Sequence, residues 1–493
     1  MSSDSAALTS QRAGNRSGGN GDHFSLPVTT AELLAGSYGF DPVAFEAQHG
    51  NGDLITLLDI LGIGGPFKVE SPWELRDQTG RHLLHAGGYA AVPFGEAYPP
   101  LVDFIRTFLS DNRQLGLPQQ SSSEWRAALE KNLVGLLSSV APSHSDSHVF
   151  FTNSGAEAVE AAIKMARAHK KDASLFINFA HAYHGKTLGA LALTPSEEYQ
   201  APFRPLTPEV MTLPFGDEGA LVTALTERGK QVAAIVIEPV QGEGGVITPP
   251  DGYLRRVGEL ARHHGVLVVA DEIQTGLGRA GSWFASVTAG LEPDIITLAK
   301  PLGGGLVPIG AVIARKPIFR SLLPGLASKR HSNTFGGGSL AVAVGLKSLE
   351  LLVTGRLDVR AAELGRQGLA RLRHLADKYP NLIEEVRGSG MLFALTLRPM
   401  IGFRVPGIST EDVQTFAAAL GLRALHEGGV HGCYSTNANR VVRLTPALNM
   451  PDELFSQLFD RVEQVAQANP RSLSLLQRFP VPRLLRLARV AFG

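Results

Sequence analysis

A single cysteine, Cys433, stands in a chain of 493 residues. One thiol can form neither an internal disulfide nor a cysteine-based zinc site, so no such staple holds the fold and a reducing compartment is expected. Net charge is missing too. Lys plus Arg and Asp plus Glu both number 46, so the whole chain carries no electrostatic footprint for nucleic acid. No apolar run approaches the roughly 18 residues a membrane-spanning helix needs. Residues 1–23 are rich in Ser, Gly and Asn, lack the apolar stretch of a signal peptide, and read as a disordered tail. These absences together lead to the expectation of a soluble cytoplasmic protein.

What the chain does have is an alternation of two periodicities. Val159, Ala162, Ile163 and Ala166 fall at i, i+3, i+4 and i+7, which predicts a helix over Ala156–Lys170. Arg255 to His264 reads as a second helix, ended by Gly265. Between such segments lie short apolar runs: Val149–Phe151, Leu175–Ile177, Ala233–Ile237, Val266–Ala270 and Ile295–Leu298. Apolar strands alternating with amphipathic helices imply an α/β fold with a mainly parallel sheet covered on both faces. The expected organisation is an N-terminal segment (24–124) contributing to a small domain, a large domain (125–353), and a C-terminal small α+β domain (354–468). A basic amphipathic tail (469–493) follows. Its stretch Leu484–Val490 is a helix candidate that packs on the body or a partner, or lies on a membrane surface.

The chemistry-bearing residues gather at predicted strand ends, where open α/β sheets bind ligands. Asp271 follows the run Val266–Ala270 directly, and Lys300 comes two residues after Ile295–Leu298. An acid and a lysine on neighbouring strand ends can face one crevice, and pyridoxal 5′-phosphate needs such a pair. The amine forms a Schiff base with the cofactor aldehyde, and a carboxylate beside the pyridine nitrogen keeps it protonated, so the ring can accept electrons. Taken singly, Asp271 reads as a helix cap or surface acid and Lys300 as a solvated lysine. Asn153-Ser154-Gly155-Ala156, between a strand and a helix start, fits either a phosphate cup or a plain Ser N-cap. Tyr183 follows the strand Leu175–Ile177 and fits a ring-stacking partner or a core aromatic. Gly276-Leu277-Gly278-Arg279-Ala280-Gly281 matches G-x-G-x-x-G, but Asp271–Gln274 separates it from its strand and Asp294 opens the next strand instead of closing it. A dinucleotide site is therefore rejected.

Taken together, Val268-Val269-Ala270-Asp271-Glu272-Ile273-Gln274-Thr275-Gly276 and Pro293-Asp294-Ile295-Ile296-Thr297-Leu298-Ala299-Lys300 resemble the signature of the class III aminotransferases of pyridoxal-phosphate fold type I. The resemblance covers roughly Trp73 to Met450. It implies a large domain with a mainly parallel seven-stranded sheet and a smaller α+β domain from both chain ends. It also implies pyridoxal 5′-phosphate as cofactor and no metal. By that resemblance Lys300 is the Schiff-base lysine and proton shuttle, Asp271 meets the pyridine nitrogen, and Gln274 hydrogen-bonds the 3-hydroxyl oxygen. Ser154, Gly155 and Ala156 bind phosphate, Tyr183 stacks on the ring, and His184 and Glu238 complete the cofactor surroundings. Thr334 would reach the phosphate of a neighbouring subunit, which implies a homodimer with a shared site, or a tetramer built from it.

Four further positions bear on substrate. Arg443, in Val442-Arg443-Leu444-Thr445-Pro446, resembles the family's carboxylate-binding arginine, and Glu243 resembles the gate that pairs with it. Lys186 stands where family members that hold a distal carboxylate often carry arginine, and lysine lacks the bidentate fork. The context of Lys186 resembles the putrescine aminotransferase branch. Tyr89, in Gly88-Tyr89-Ala90-Ala91-Val92, resembles the substrate-contacting tyrosine of ornithine δ-aminotransferase. The expectation is an ω-aminotransferase passing a terminal amine from a diamine or ornithine-like donor to a 2-oxo acid, 2-oxoglutarate. Acetylornithine- or 4-aminobutyrate-type transfer, racemisation on the same scaffold, and a non-catalytic binding protein are the alternatives.

Overall fold

The computed structural model describes residues 26–36, 39–111, 115–118, 121–400, 410–477, 479, 480, 482, 483 and 486. The expected tail 1–23 lies outside the described residues, as does nearly all of Leu484–Val490. Seven strands form the central sheet, in the order His148–Thr152, Gly310–Ala314, Ile295–Leu298, Leu267–Asp271, Val232–Ile237, Leu175–Phe179 and Val210–Leu213. The four pairings from Ile295–Leu298 to Val210–Leu213 are parallel, while Gly310–Ala314 runs antiparallel to both its neighbours. The sheet is thus the mainly parallel α/β architecture expected.

Alternation along each strand explains the two-sided burial. Val268 and Ala270 enter one core with Ile235, Ile237 and Ile296, together with Leu254 and Val257 of the helix Tyr253–His264. Leu267 and Val269 enter a second core with Val236, Ile295 and the inner face of the helix Gly155–His169. Successive strand side chains point to opposite faces, so a strand covered on both sides must be apolar at every position. The helix Tyr253–His264 stops at Gly265, which takes the left-handed conformation (φ 66°) that a C-terminal cap requires.

Two smaller sheets carry the rest. Lys68–Ser71, Glu74–Arg76 and His82–His85 form one with the two-residue strand Val430–His431, which pairs parallel to His82–His85. Early and late parts of the chain are thereby joined. The other sheet is antiparallel, in the order Ile383–Ser389, Leu392–Leu397, Ala438–Leu444 and Cys433–Ser435. Arg279 lies fully buried where this sheet meets the loop after Leu267–Asp271. Its guanidinium donates through Nη1 to the carbonyls of Pro446 and Met391, and its own carbonyl accepts from the Met391 N–H at 3.0 Å. Among the described residues no helix is long and apolar enough to cross a membrane.

Candidate active site

The C-terminal ends of the parallel strands open onto a cavity of about 750 Å³. Ser154, Gly155, Ala156, Tyr183, His184, Lys186, Glu238, Glu243, Asp271, Gln274 and Lys300 all line it. Most of the expected site residues therefore meet in one place. Tyr89, Arg443 and Thr334 are not in the wall. Arg443 lies behind it, fully buried, with Tyr89 stacked 5.6 Å from its guanidinium. Thr334 is exposed on the loop before the helix Ser339–Thr354.

Lys300 opens the 3-10 turn Lys300–Gly303 directly beyond the strand Ile295–Leu298. The turn is pinned from behind, where Ser348 donates its hydroxyl to the Pro301 carbonyl at 2.9 Å. Burial holds the Lys300 amine below the usual lysine range, against the pull of Glu243, whose Oε1 lies 4.0 Å away. A lysine so placed holds its proton less tightly than a solvated one, which suits a nucleophile and proton carrier.

Asp271 is the last residue of its strand, paired in register with Thr297, and not the residue after it as the sequence pattern suggests. Its Oδ1 accepts from the Thr297 hydroxyl at 3.0 Å and from the Ile273 N–H at 3.1 Å, and its Oδ2 meets His184 Nδ1 at 2.7 Å. Burial disfavours the His184 imidazolium, yet the bond to Asp271 outweighs it and raises the His184 pKa. The carboxylate is thus fixed on three sides at the cavity floor. Glu238 accepts from the Tyr183 N–H at 3.0 Å and is pushed up to about 8, by burial first and by the Asp271 charge as well.

The stretch before the helix Gly155–His169 supports both readings of its sequence. Ser154 caps the helix, its hydroxyl accepting from the Glu157 N–H at 3.2 Å. The N–H groups of Gly155 and Ala156 belong to the first turn, where a helix offers no carbonyl partners. Space in front of them depends on glycine. A Cβ on Gly155 would sit 2.8 Å from Ile273, and one on Gly185 would sit 2.7 Å from the Ala156 Cβ.

Glu243, in the wall, and Arg443, behind it, form a buried ion pair, Oε1 to Nη2, at 2.7 Å. Burial would raise the glutamate, but Arg443 and Lys300 hold it down at about 2. Gln274 ties this pair to the wall, its Oε1 accepting from Arg443 Nη1 at 3.2 Å and its Nε2 donating to Glu243 Oε1 at 3.3 Å. Lys186 lines the cavity with its ammonium 4.0 Å over the Tyr199 ring.

Several participants carry no signal in the sequence analysis. Thr297 could have been found, because it is the one polar residue in an otherwise apolar buried strand whose end lies beside Asp271. Thr436, Tyr434 and Tyr199 were not, because they arrive from segments distant along the chain.

Residues 71–466 match the class III aminotransferase family, and the chain belongs to it. Ornithine aminotransferase from Toxoplasma gondii, crystallised with partial occupancy of pyridoxal phosphate, is 28% identical with a TM-score of 0.72, over 84% of this chain and 91% of that one. Acetylornithine aminotransferase from Elizabethkingia anophelis is 29% identical (TM-score 0.66, 81% and 92% covered). An amine transaminase from an uncultivated Pseudomonas species is 26% identical (TM-score 0.71, 82% and 94% covered). The protein is a pyridoxal-phosphate-dependent class III aminotransferase of fold type I, as the resemblance implied. The residues fit the cofactor: a lysine with a lowered pKa, a fixed carboxylate and an open helix N-terminus share one cavity.

Proposed function

We propose that the protein is an ω-aminotransferase that moves a terminal amino group from a diamine or ornithine-like donor to 2-oxoglutarate, giving an aldehyde and glutamate. The observation that carries this reading is the buried Arg443–Glu243 pair behind the cavity wall. With the pair closed, the guanidinium is neutralised and the wall suits an end of the donor that brings no carboxylate. With Glu243 swung aside, Arg443 can grip a carboxylate by two parallel hydrogen bonds. One cavity then serves two substrates of different charge. The ornithine aminotransferase similarity supports the same donor class.

Bound pyridoxal phosphate supplies an aldehyde that condenses with amines and a ring that takes up electrons. Gly155 and Ala156 would hold its phosphate by backbone N–H groups beside Ser154, and Tyr183 would cover one ring face. Asp271, fixed by Thr297, Ile273 and His184, would hold the proton on the ring nitrogen. Lys300 Nζ would form the covalent link to the protein, and its released amine would carry the proton between substrate carbon and cofactor. Gln274 bridges this centre to the Arg443 pair, so reaching the cofactor hydroxyl oxygen means loosening that bridge.

We further propose a homodimer in which Thr334 of each copy serves the other copy's phosphate. Its exposure outside its own cavity supports this, as does Phe335 beside it, a large apolar side chain left 63% exposed. The test of the reaction is a panel of putrescine, cadaverine, ornithine, N-acetylornithine, lysine and 4-aminobutyrate, each with 2-oxoglutarate. Glutamate formation with the unacetylated diamines or ornithine is expected. Racemisation of an amino acid without any oxo acid, and no glutamate from any donor, would overturn the proposal in favour of a racemase.

A further inference from the structure

The strand Cys433–Ser435 and the turn after it, which leads into Ala438–Leu444, hold both halves of the buried ion pair. The Tyr434 carbonyl accepts from Arg443 Nε at 3.2 Å and from Nη2 at 3.0 Å. Thr436 donates to Glu243 Oε2 twice, with its backbone N–H at 3.1 Å and its hydroxyl at 2.6 Å. Glu243 Oε1 is left for Arg443 and Gln274. The turn is itself anchored on the large-sheet side. The Tyr199 phenol donates to the Thr436 carbonyl at 3.1 Å, Asn437 Nδ2 to the Ala182 carbonyl at 2.8 Å, and the Asn437 N–H to the Glu243 carbonyl at 3.1 Å. Glu243 is therefore held by donors that stay in place when its side chain moves.

We propose that Thr436 is a positioning residue whose hydroxyl latches Glu243 onto Arg443, and so sets how readily the arginine is exposed to a substrate carboxylate. The inference rests on the swinging-pair reading of Arg443 and Glu243 given above. In the closed arrangement Arg443 is fully buried and outside the cavity wall, so a carboxylate meets it only in the open one. Apparent carboxylate affinity then scales with the open fraction. The Thr436 hydroxyl bond exists only in the closed arrangement and engages a charged acceptor, the stronger kind of hydrogen bond. Its loss raises the open fraction by roughly tenfold, about 1.4 kcal/mol. The donor half-reaction uses the closed pair, already dominant, and changes little.

The test compares the wild-type holoenzyme with Thr436→Val, Thr436→Ser and Glu243→Gln. Glutarate, an unreactive dicarboxylate, is titrated calorimetrically, and the half-reactions with ornithine and 2-oxoglutarate are followed separately. In Thr436→Val glutarate binds roughly tenfold tighter and the KM for 2-oxoglutarate falls by a similar factor, while kcat/KM for ornithine moves by less than about twofold. Thr436→Ser keeps the hydroxyl and behaves as wild type. Tighter glutarate binding in Glu243→Gln but not in Thr436→Val would overturn the latch and leave the swinging pair standing. Unchanged binding in both would overturn both. Parallel loss of the two half-reactions in Thr436→Val marks a merely structural role and overturns the latch as well.

Discussion

Two glutamates on the loop after the strand Val232–Ile237 are driven in opposite directions. Glu238 is pushed up to about 8, from an ordinary 4.5, by burial and by the Asp271 charge. Between those values the folded chain keeps a proton that the unfolded chain has released, so stability is lost as pH rises through the window. In Glu238→Gln that slope disappears. The variant's melting temperature relative to wild type is therefore expected to climb between about pH 5 and about pH 8, read by thermal melts across the range. Glu243 behaves inversely: its stabilisation is full above 4.5 and fades as pH falls toward about 2. Lys300→Ala is expected to lower transamination by at least about a thousandfold and to abolish the visible absorbance of a lysine-bound cofactor, since both the covalent link and the proton carrier are removed. Lys300 and Asp271 were legible in the sequence because each stands at the end of an apolar run, where the crevice of an α/β sheet must lie. The partners that tune them were not. His184 was named without its bond to Asp271, and Thr436 not at all, because hydrogen bonds between distant segments leave no local spacing to read.

At the level of single elements, five of the seven central strands were readable to within one or two residues, since burial on both faces forces continuous apolar runs, while Val210–Leu213 and Gly310–Ala314 were not named. Direction was not readable. Gly310–Ala314 is antiparallel, and nothing in Gly310-Ala311-Val312-Ile313-Ala314 distinguishes it from its parallel neighbours. The two-residue strand Val430–His431 is too short to display a period. The antiparallel strand matters to the site because Gly310 packs flat against Ser154. A Cβ there would collide with the Ser154 carbonyl and the Thr152 hydroxyl. Gly310→Ala is therefore expected to cost about 1–3 kcal/mol in stability. It should also weaken pyridoxal-phosphate retention, because the residue displaced caps the helix whose first turn forms the cup. Denaturant melts and cofactor dialysis measure the two effects, and a variant with full retention would dissociate the cup from this packing.

For the whole molecule, the proposed sharing of the site between two copies makes a complementation test. Lys300→Ala homodimers and homodimers crippled by a bulky replacement of Thr334 should each be inactive. Co-refolded mixtures should recover part of the wild-type rate, because one of the two sites in a mixed dimer then carries both lesions and the other none. Absence of recovery, with mixed dimers demonstrated by mass, would place Thr334 in its own subunit's service. The family was legible from motif; the seam that joins the sheets was not, because Arg279 looked like one letter of a rejected glycine motif. That arginine is fully buried, and among the described residues it makes no ion pair; its Nη1 is spent on the carbonyls of Pro446 and Met391. A charge stapled into carbonyls of both Met391 and Pro446 resists any hinge bending across that line, since opening it would strand a guanidinium in apolar surroundings. The proposed adaptation between substrates is then left to the swing of Glu243 inside a stiff cradle, and turnover should be nearly indifferent to solvent viscosity, unlike that of enzymes that close one lobe upon another.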